Sequence, residues 1–474
     1  MTFLLSIDAG TSGVRTALFD ERVAFVPDAQ ARSRRAFTSV SDFAEIDADQ
    51  IVAEVIETID ELLANFTGQV ELIAISAFWH SLIGIDDDGH PTTPLLTWAD
   101  TRAAEFAKNL RARFDEREIH ARTGCRFHPS YWPAKLQWLQ HEQPEQFRRT
   151  RWWLGFAEYL CLRLFGELSM SVSMASATGL FNQRVCDWDT DFVNALGISS
   201  ATLPRIEPRI SSRLTTNRWP SLANARLVTV VGDGAANNIG AGCSTKDKIA
   251  LMIGTSGAMR VVFKGEPPIE VAPALWSYRV SNERVVVGGA LSDGGGLLQW
   301  MAESLKFDAS EIAALEPDAH GLTVLPFWSG ERSTGWSSDA RGGIFGLRQK
   351  TTPAEIVRAT LEAIAYRFAL IARALDDVAP NATIIASGNA LRSSPVWLQI
   401  IADVLGRPLL FGGTAEASIR GAALLALEAV GKIGTIEEDS TAIEQVFEPD
   451  MTRHARYRQG LARQEELYDR FYGG

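Results

Sequence analysis

Apolar runs broken by short polar turns fill the first part of the chain, and a similar order of runs returns past its midpoint. Leu4-Leu5-Ser6-Ile7-Asp8-Ala9 and Val14-Arg15-Thr16-Ala17-Leu18-Phe19 flank Gly10-Thr11-Ser12-Gly13. Two β-rich runs joined by a Gly/Ser/Thr turn predict a hairpin. Ile249–Ile253 and Ala258–Phe263 flank a second Gly-Thr-Ser-Gly at 254–257 and predict another. Ile51, Val55, Ile59 and Leu62 recur at helical spacing within Asp49–Leu63. Val70–Ser76 reads as a buried strand, and Ser81–Ile85 as a returning strand ended by Asp86-Asp87-Asp88-Gly89. Residues 101–215 are richer in charge and Trp, with mostly helical patterns. A strand over Arg226–Val231 feeds a small-residue helix over Ala235–Gly242. After the second hairpin the pattern predicts a strand at Val285–Val287 and helices over Gly294–Glu303 and Pro353–Leu375. A strand at Thr383–Ala386 follows, then the loop Ser387-Gly388-Asn389 and a helix through Leu405. This alternation predicts an α/β fold. A break near 243–248 without a flexible linker predicts two closely touching domains, 1–243 and 244–474.

Composition narrows the class without choosing a function. A chain of 474 residues is too long for one core. Its 46% hydrophobic and 22% charged residues suit a globular enzyme. The net charge of −12 argues against a nucleic-acid partner and leaves small molecules and proteins open. No apolar window is long enough for a membrane span, and no secretory leader pattern is seen, so a cytoplasmic protein without a membrane partner is expected. Cys125, Cys161, Cys186 and Cys243 are scattered, which predicts reduced, mostly core thiols.

Candidate chemistry gathers at the turns. A glycine turn leaves N–H groups free to wrap a phosphate, so the two copies suggest two halves facing one polyphosphate. Asp8, where the first strand meets its turn, either caps the turn or holds Mg²⁺. Ile253 stands before the second copy, so only one half brings an acid. Arg15 either neutralises phosphate or is an exposed strand residue. Asp233, in Gly232-Asp233-Gly234-Ala235-Ala236-Asn237-Asn238, lies at a strand end and a helix start, where ligands sit in α/β sheets. It is a helix cap or a general base that takes a proton from a substrate hydroxyl. His80 is a structural or a substrate-contacting histidine. Trp98, Asp100 and Arg102 offer an aromatic wall, an acceptor and a bidentate donor, the mixture a carbohydrate requires. Gly388 and Asn389 form a nucleoside-type turn or an ordinary one. No Walker A motif and no protein-kinase H-R-D or D-F-G element is present.

Nearly the whole chain, from Asp8 to about Leu427, resembles the FGGY carbohydrate kinases of the actin/hexokinase/Hsp70-like ATPase superfamily. The most specific part is Gly342-x-Ile344-x-Gly346-Leu347 followed by Glu355-Ile356-x-x-Ala359-Thr360-Leu361-Glu362. Leu325–Arg332, Ala340-Arg341-Gly342 and Ala175–Leu180 are further landmarks. The resemblance implies two ribonuclease H-like domains with a cleft between them, using ATP and Mg²⁺ on a small sugar or sugar acid. It implies Asp8 at the metal, and Thr11, Ser12, Arg15, Gly254 and Thr255 at the phosphates. It likewise implies Gly388 and Asn389 at adenosine and Asp233 as base. A homodimer is left open. Two departures lie in the first domain: Trp132 stands where a small hydroxyl or Pro is usual before Lys135-Leu136-Gln137-Trp138, and Ser171 where an acid is common. The segments 80–86, 97–102 and 232–237 look most like the gluconate-kinase branch, with xylulose or another ketose or polyol as the alternative acceptor. Trp79 is bulkier than the family norm, which could narrow the pocket. An actin- or Hsp70-like ATPase driving a conformational change would share the two cradles but not the His80 and Trp98–Arg102 cluster.

Overall fold

A computed structural model describes residues 2–35, 43–208, 211–412 and 416–473. Two sheets carry the fold. In the first, Phe3–Gly10, Gly13–Phe19 and Phe25–Arg32 run antiparallel, while Val70–Ala77 and Arg226–Gly232 extend the other side in parallel. In the second, Lys248–Ile253, Gly257–Lys264 and Arg284–Leu291 run antiparallel, and Thr383–Ser387 and Leu409–Gly412 add on in parallel. Numbered within each half, both sheets have the core strand order 3-2-1-4-5. The repeat seen in the two Gly-Thr-Ser-Gly turns is therefore a repeat of whole α/β units with the actin-like ATPase arrangement.

Local physics explains the elements. The helix Ala48–Leu63 starts where the Asp47 carboxylate accepts the Asp49 N–H at 2.9 Å, and it buries Ile51, Val55, Ile59 and Leu62. The helix Pro353–Leu375 opens with Pro and a capping box, in which Thr352 and Glu355 bond reciprocally. Differences from the pattern reading are local. Residues 83–85 form a short strand against Trp152–Leu154, outside the main sheet. The helix expected through Leu405 is broken into Asn389–Arg392 and Pro395–Leu405, because Pro395 has no N–H to continue the first.

The two cores are not separated at residue 243. The helix Ala417–Ala429, late in sequence, lies under the first sheet, with Ile419, Ala422, Leu424 and Leu427 in that sheet's core. Ser6 Oγ donates to Ile419 O at 2.7 Å. This helix crosses Asp233–Gly240 at backbone contact: a Cβ on Gly421 would lie 1.8 Å from Ala236 O, and one on Gly240 1.8 Å from Ala417 O. In the other direction Trp276 and Tyr278, from the edge strand Trp276–Arg279 of the second sheet, join the first core. Among the described residues no helix is long and apolar enough to cross a membrane, and the four cysteines are unpaired.

Candidate active site

The first hairpin has Gly10 opposite Gly13, leaving Thr11 and Ser12 as a two-residue turn. Arg35 supports it from behind: its N–H donates to Ser12 O at 2.8 Å and its Nη1 to Thr11 O at 3.1 Å, while Glu54 holds the guanidinium. With its carbonyls tied back, the turn keeps its shape without a ligand. Asp8 is buried beside it. Its Oδ1 accepts from Ser76 Oγ at 2.8 Å and its Oδ2 from Arg15 Nη1 at 3.1 Å. Burial pushes the Asp8 carboxyl up from the usual carboxylate range, against the pull of Arg15 and Ser76. Arg15 also pairs with Glu416 at 3.0 Å.

The second turn is built differently. Ile253 pairs with Gly257, so Gly254, Thr255 and Ser256 form a three-residue loop. Its carbonyls accept the first amides of the helix Gly295–Ser304: Gly295 N–H to Gly254 O at 2.8 Å and Gly296 N–H to Thr255 O at 2.9 Å. Gly388 closes the same corner. It has φ +110°, and a Cβ there would lie 2.3 Å from Ile253 O, so only glycine lets the loop before Asn389 sit this close. The predicted phosphate and nucleoside residues of the second half thus meet at one corner.

Asp233 begins the helix Asp233–Gly240 and faces the cleft from the first half. Its Oδ1 accepts the Gly234 N–H at 2.7 Å, and the Trp79 N–H also donates to it. Burial, with the charge of Asp8, raises it to about 6 despite Arg260. The flanking glycines have a spatial cause: a Cβ on Gly232 would lie 1.8 Å from the Trp79 indole, and one on Gly234 2.6 Å. Trp79 is buried and packed on Tyr278 and Trp276.

Beside Asp233 stands an aromatic wall. His80 Nδ1 donates to Ala177 O at 2.7 Å, and burial lowers the ring to about 3, so the imidazole is neutral with Nε2 as an acceptor. Its ring lies 5.0 Å from Tyr131 and 5.7 Å from Tyr278, whose hydroxyls meet at 2.5 Å across the two halves. Trp98 reaches Thr11 Oγ1 at 3.4 Å and carries Arg332 over its ring at 4.8 Å. Lys135, lowered to about 7 by burial, donates to both His80 O and Thr97 O at 2.7 Å and ties the two loops together.

Asp100 and Arg102 differ from the expectation. Asp100 is buried and accepts from Ala44 N at 3.0 Å and from Arg102 Nη2 at 2.7 Å; Arg102 also binds Glu45 and lies on Phe43 and Trp138. Asp100 is bound mainly to Arg102, and Arg102 through Nε and Nη2 to Asp100 and Glu45, so the pair braces the Trp98 loop. The two departures from the family pattern also have local explanations. Trp132 donates its indole N–H to Ser81 O at 2.8 Å, next to His80, and Ser171 Oγ caps Val172–Ser176 at Met174 N, 3.2 Å. Two residues with cleft-facing chemistry escaped the sequence reading as site candidates, Arg260 and Arg332. The first sits inside an apolar strand, the second inside a family landmark.

The donor sets fit the groups such a cleft would take. Asp8 and Asp233 are neighbouring carboxylates, each raised in pKa, a pair that a hard divalent cation would relieve. The Gly254 loop and Gly388 leave the side-chain-free surface a nucleotide needs.

Two ribonuclease H-like units closing on a cleft with paired acids and glycine turns define a phosphotransferase of the actin-like ATPase class. The chain belongs to the FGGY family of carbohydrate kinases: the model of the family's N-terminal domain matches residues 3–240 and that of its C-terminal domain residues 249–430. It is 28% identical to a gluconokinase of Bacillus subtilis (strain 168), over 94% of this chain and 91% of that one. Among solved structures, a gluconate kinase from Lactobacillus acidophilus superposes with TM-score 0.90 at 26% identity, covering 100% of this chain and 99% of that one. A ligand-bound xylulose kinase from Lactobacillus acidophilus does so with TM-score 0.90 at 27% identity, covering 100% and 99%. The chain is thus a sugar kinase, and kinases of this family use ATP.

Proposed function

We propose that the chain transfers the γ-phosphoryl group of ATP to the terminal hydroxyl of D-gluconate, yielding 6-phosphogluconate and ADP in the cytoplasm. The observation that carries this reading is Asp233, an acid poised at about 6 beside Asp8 and beneath Arg260 of the other half. In its ionised form Asp233 accepts the acceptor hydroxyl's proton as the new O–P bond forms and the bond to the ADP leaving group breaks. Thr11, Ser12 and Arg15 meet the phosphates from the first half, and Gly254 and Thr255 from the second. Gly388 and Asn389 lie against adenosine. Asp8 would hold Mg²⁺, which supplies charge neutralisation at the phosphates. His80 and Trp98 bind the acceptor, His80 by accepting a hydrogen bond from one of its hydroxyls at Nε2. Asp100 and Arg102 act only through the position of Trp98.

D-Xylulose is the second reading, supported by the xylulose kinase that superposes equally well. A coupled ADP-release assay over gluconate, xylulose, ribulose, glycerol and erythritol separates them. Gluconate should give the highest kcat/KM. Another winner replaces the acceptor, and ADP release without stimulation by any of the five removes this reading of the cleft.

A further inference from the structure

Arg260 is the one residue of the strand Gly257–Lys264 that carries a charge into the cleft. It is 9% exposed, and its Nε and Nη1 have no hydrogen-bond partner. The fold makes room for it. A Cβ on Gly288 would lie 2.8 Å from its Cγ, and one on Gly234 3.3 Å from its Cζ, so the guanidinium crosses from the second sheet to rest over the turn beside Asp233. Arg332 converges on the same place. It donates Nη2 to Leu291 O at 2.9 Å, lies over Trp98, and leaves its Nε buried and unpartnered. Among the described residues no carboxylate lies within ion-pair distance of either guanidinium group. Buried donors left unpaired are costly, and more so when charged. Two of them aimed at one space indicate an anionic guest.

We propose that Arg260 and Arg332 form an oxyanion subsite that takes the carboxylate of a sugar-acid acceptor and so selects it over neutral sugars. This rests on the reading of the cleft beside Asp233 as the acceptor site. The alternative guest is the transferred phosphoryl group, and the surroundings favour the acceptor side. Arg260 rests over Gly234 beside Asp233, and Arg332 lies on Trp98 of the acceptor wall. A neutral ketose could accept from these three nitrogens through its hydroxyl oxygens but would leave the two buried charges without a counter-charge. A carboxylate answers the guanidinium fork with matching geometry.

The test compares wild type with Arg260→Met and Arg260→Lys, each first checked for an unchanged melting temperature. With saturating ATP, the ratio of kcat/KM for gluconate to that for xylulose should fall about 10- to 100-fold in R260M, the range expected for lost charged hydrogen bonds. The fall should lie in KM for gluconate, with R260K in between. Calorimetric titration of gluconate without ATP should weaken by the same factor. An equal fall for both acceptors, or a change confined to kcat and KM for ATP, would assign Arg260 to the phosphoryl group and overturn the proposal. If wild type prefers another sugar acid, the gluconate assignment fails and the arginine subsite stands. If wild type uses only neutral sugars, the arginine subsite fails while the kinase reading survives.

Discussion

At the residue scale, Asp233 is held in a state that costs stability and that the proposed proton transfer would use. Its folded pKa of about 6 lies above the 3.8 of an unfolded aspartate. The folded protein therefore binds the extra proton between those values, and stability falls as pH rises from about 4 to about 6. Above that, the ionised group opposes folding. Asp233→Asn should accordingly melt higher than wild type at pH 8, by about 1–3 kcal/mol, with the gap closing near pH 4. The same substitution should lower kcat by roughly 10²–10⁴, the usual worth of a general base. In wild type, kcat/KM should lose its base-dependent limb below about pH 6. Calorimetry and a pH–rate profile check both halves, and a variant that loses activity without gaining stability at pH 8 would contradict the raised pKa. Asp8 and Asp233 were legible in the sequence because each is an acid at the end of an apolar strand. Arg260 was not, because the sequence alone reads an arginine between Met259 and Val261 as an outward-facing strand residue. Only the second sheet's placement against Gly234 turns it inward.

At the element scale, the helix Asp233–Gly240 owes its position to its crossing with Ala417–Ala429, where the backbones touch through Gly240 and Gly421. Arg420 reinforces the crossing by donating to Gly240 O at 3.1 Å and forming a bidentate pair with Asp439 at 2.7 Å. Gly421→Ala should push the helices apart, at a cost of about 2 kcal/mol or more. It should also lower kcat, since Asp233 rides on the displaced helix, with little change in KM for ATP, whose proposed second-half cradle lies elsewhere. Melting curves and steady-state kinetics test this together, and a variant that melts lower with wild-type kcat would uncouple the crossing from catalysis. Both glycine hairpins and the Pro353–Leu375 helix were legible from period, turn residues and caps, which are local signals. The two turns differ in length because the second is drawn onto the start of Gly295–Ser304, a tertiary effect that identical tetrapeptides hide.

At the scale of the whole molecule, the chain divides in sequence where it does not divide in packing. The helix Ala417–Ala429 completes the first core from the far end of the sequence, and Trp276 and Tyr278 enter it from the edge of the second sheet. Ser277 N–H donates to Gly124 O at 3.0 Å, His120 Nε2 bonds Leu275 O at 3.0 Å, and Arg284 pairs with Glu428 and Glu437. Nothing local in residues 417–429 says which sheet they cover. A fragment of residues 1–243 would expose the face of Phe3–Gly10 and Val70–Ala77 that this helix buries, leaving Leu4, Leu72 and Ala74, on the side where Ser6 meets Ile419, without their cover. A side chain of that kind loses about 1.5–3 kcal/mol when returned to water, so a few of them exceed the net stability of an ordinary domain. The fragment should therefore be compact but loosely packed, binding a hydrophobic dye and lacking near-ultraviolet dichroism. Co-expression with residues 244–474 should restore a native complex, and the intact chain should unfold in a single calorimetric transition. A fragment 1–243 with a sharp melting transition of its own would mean that the returning helix adds to a core already complete without it.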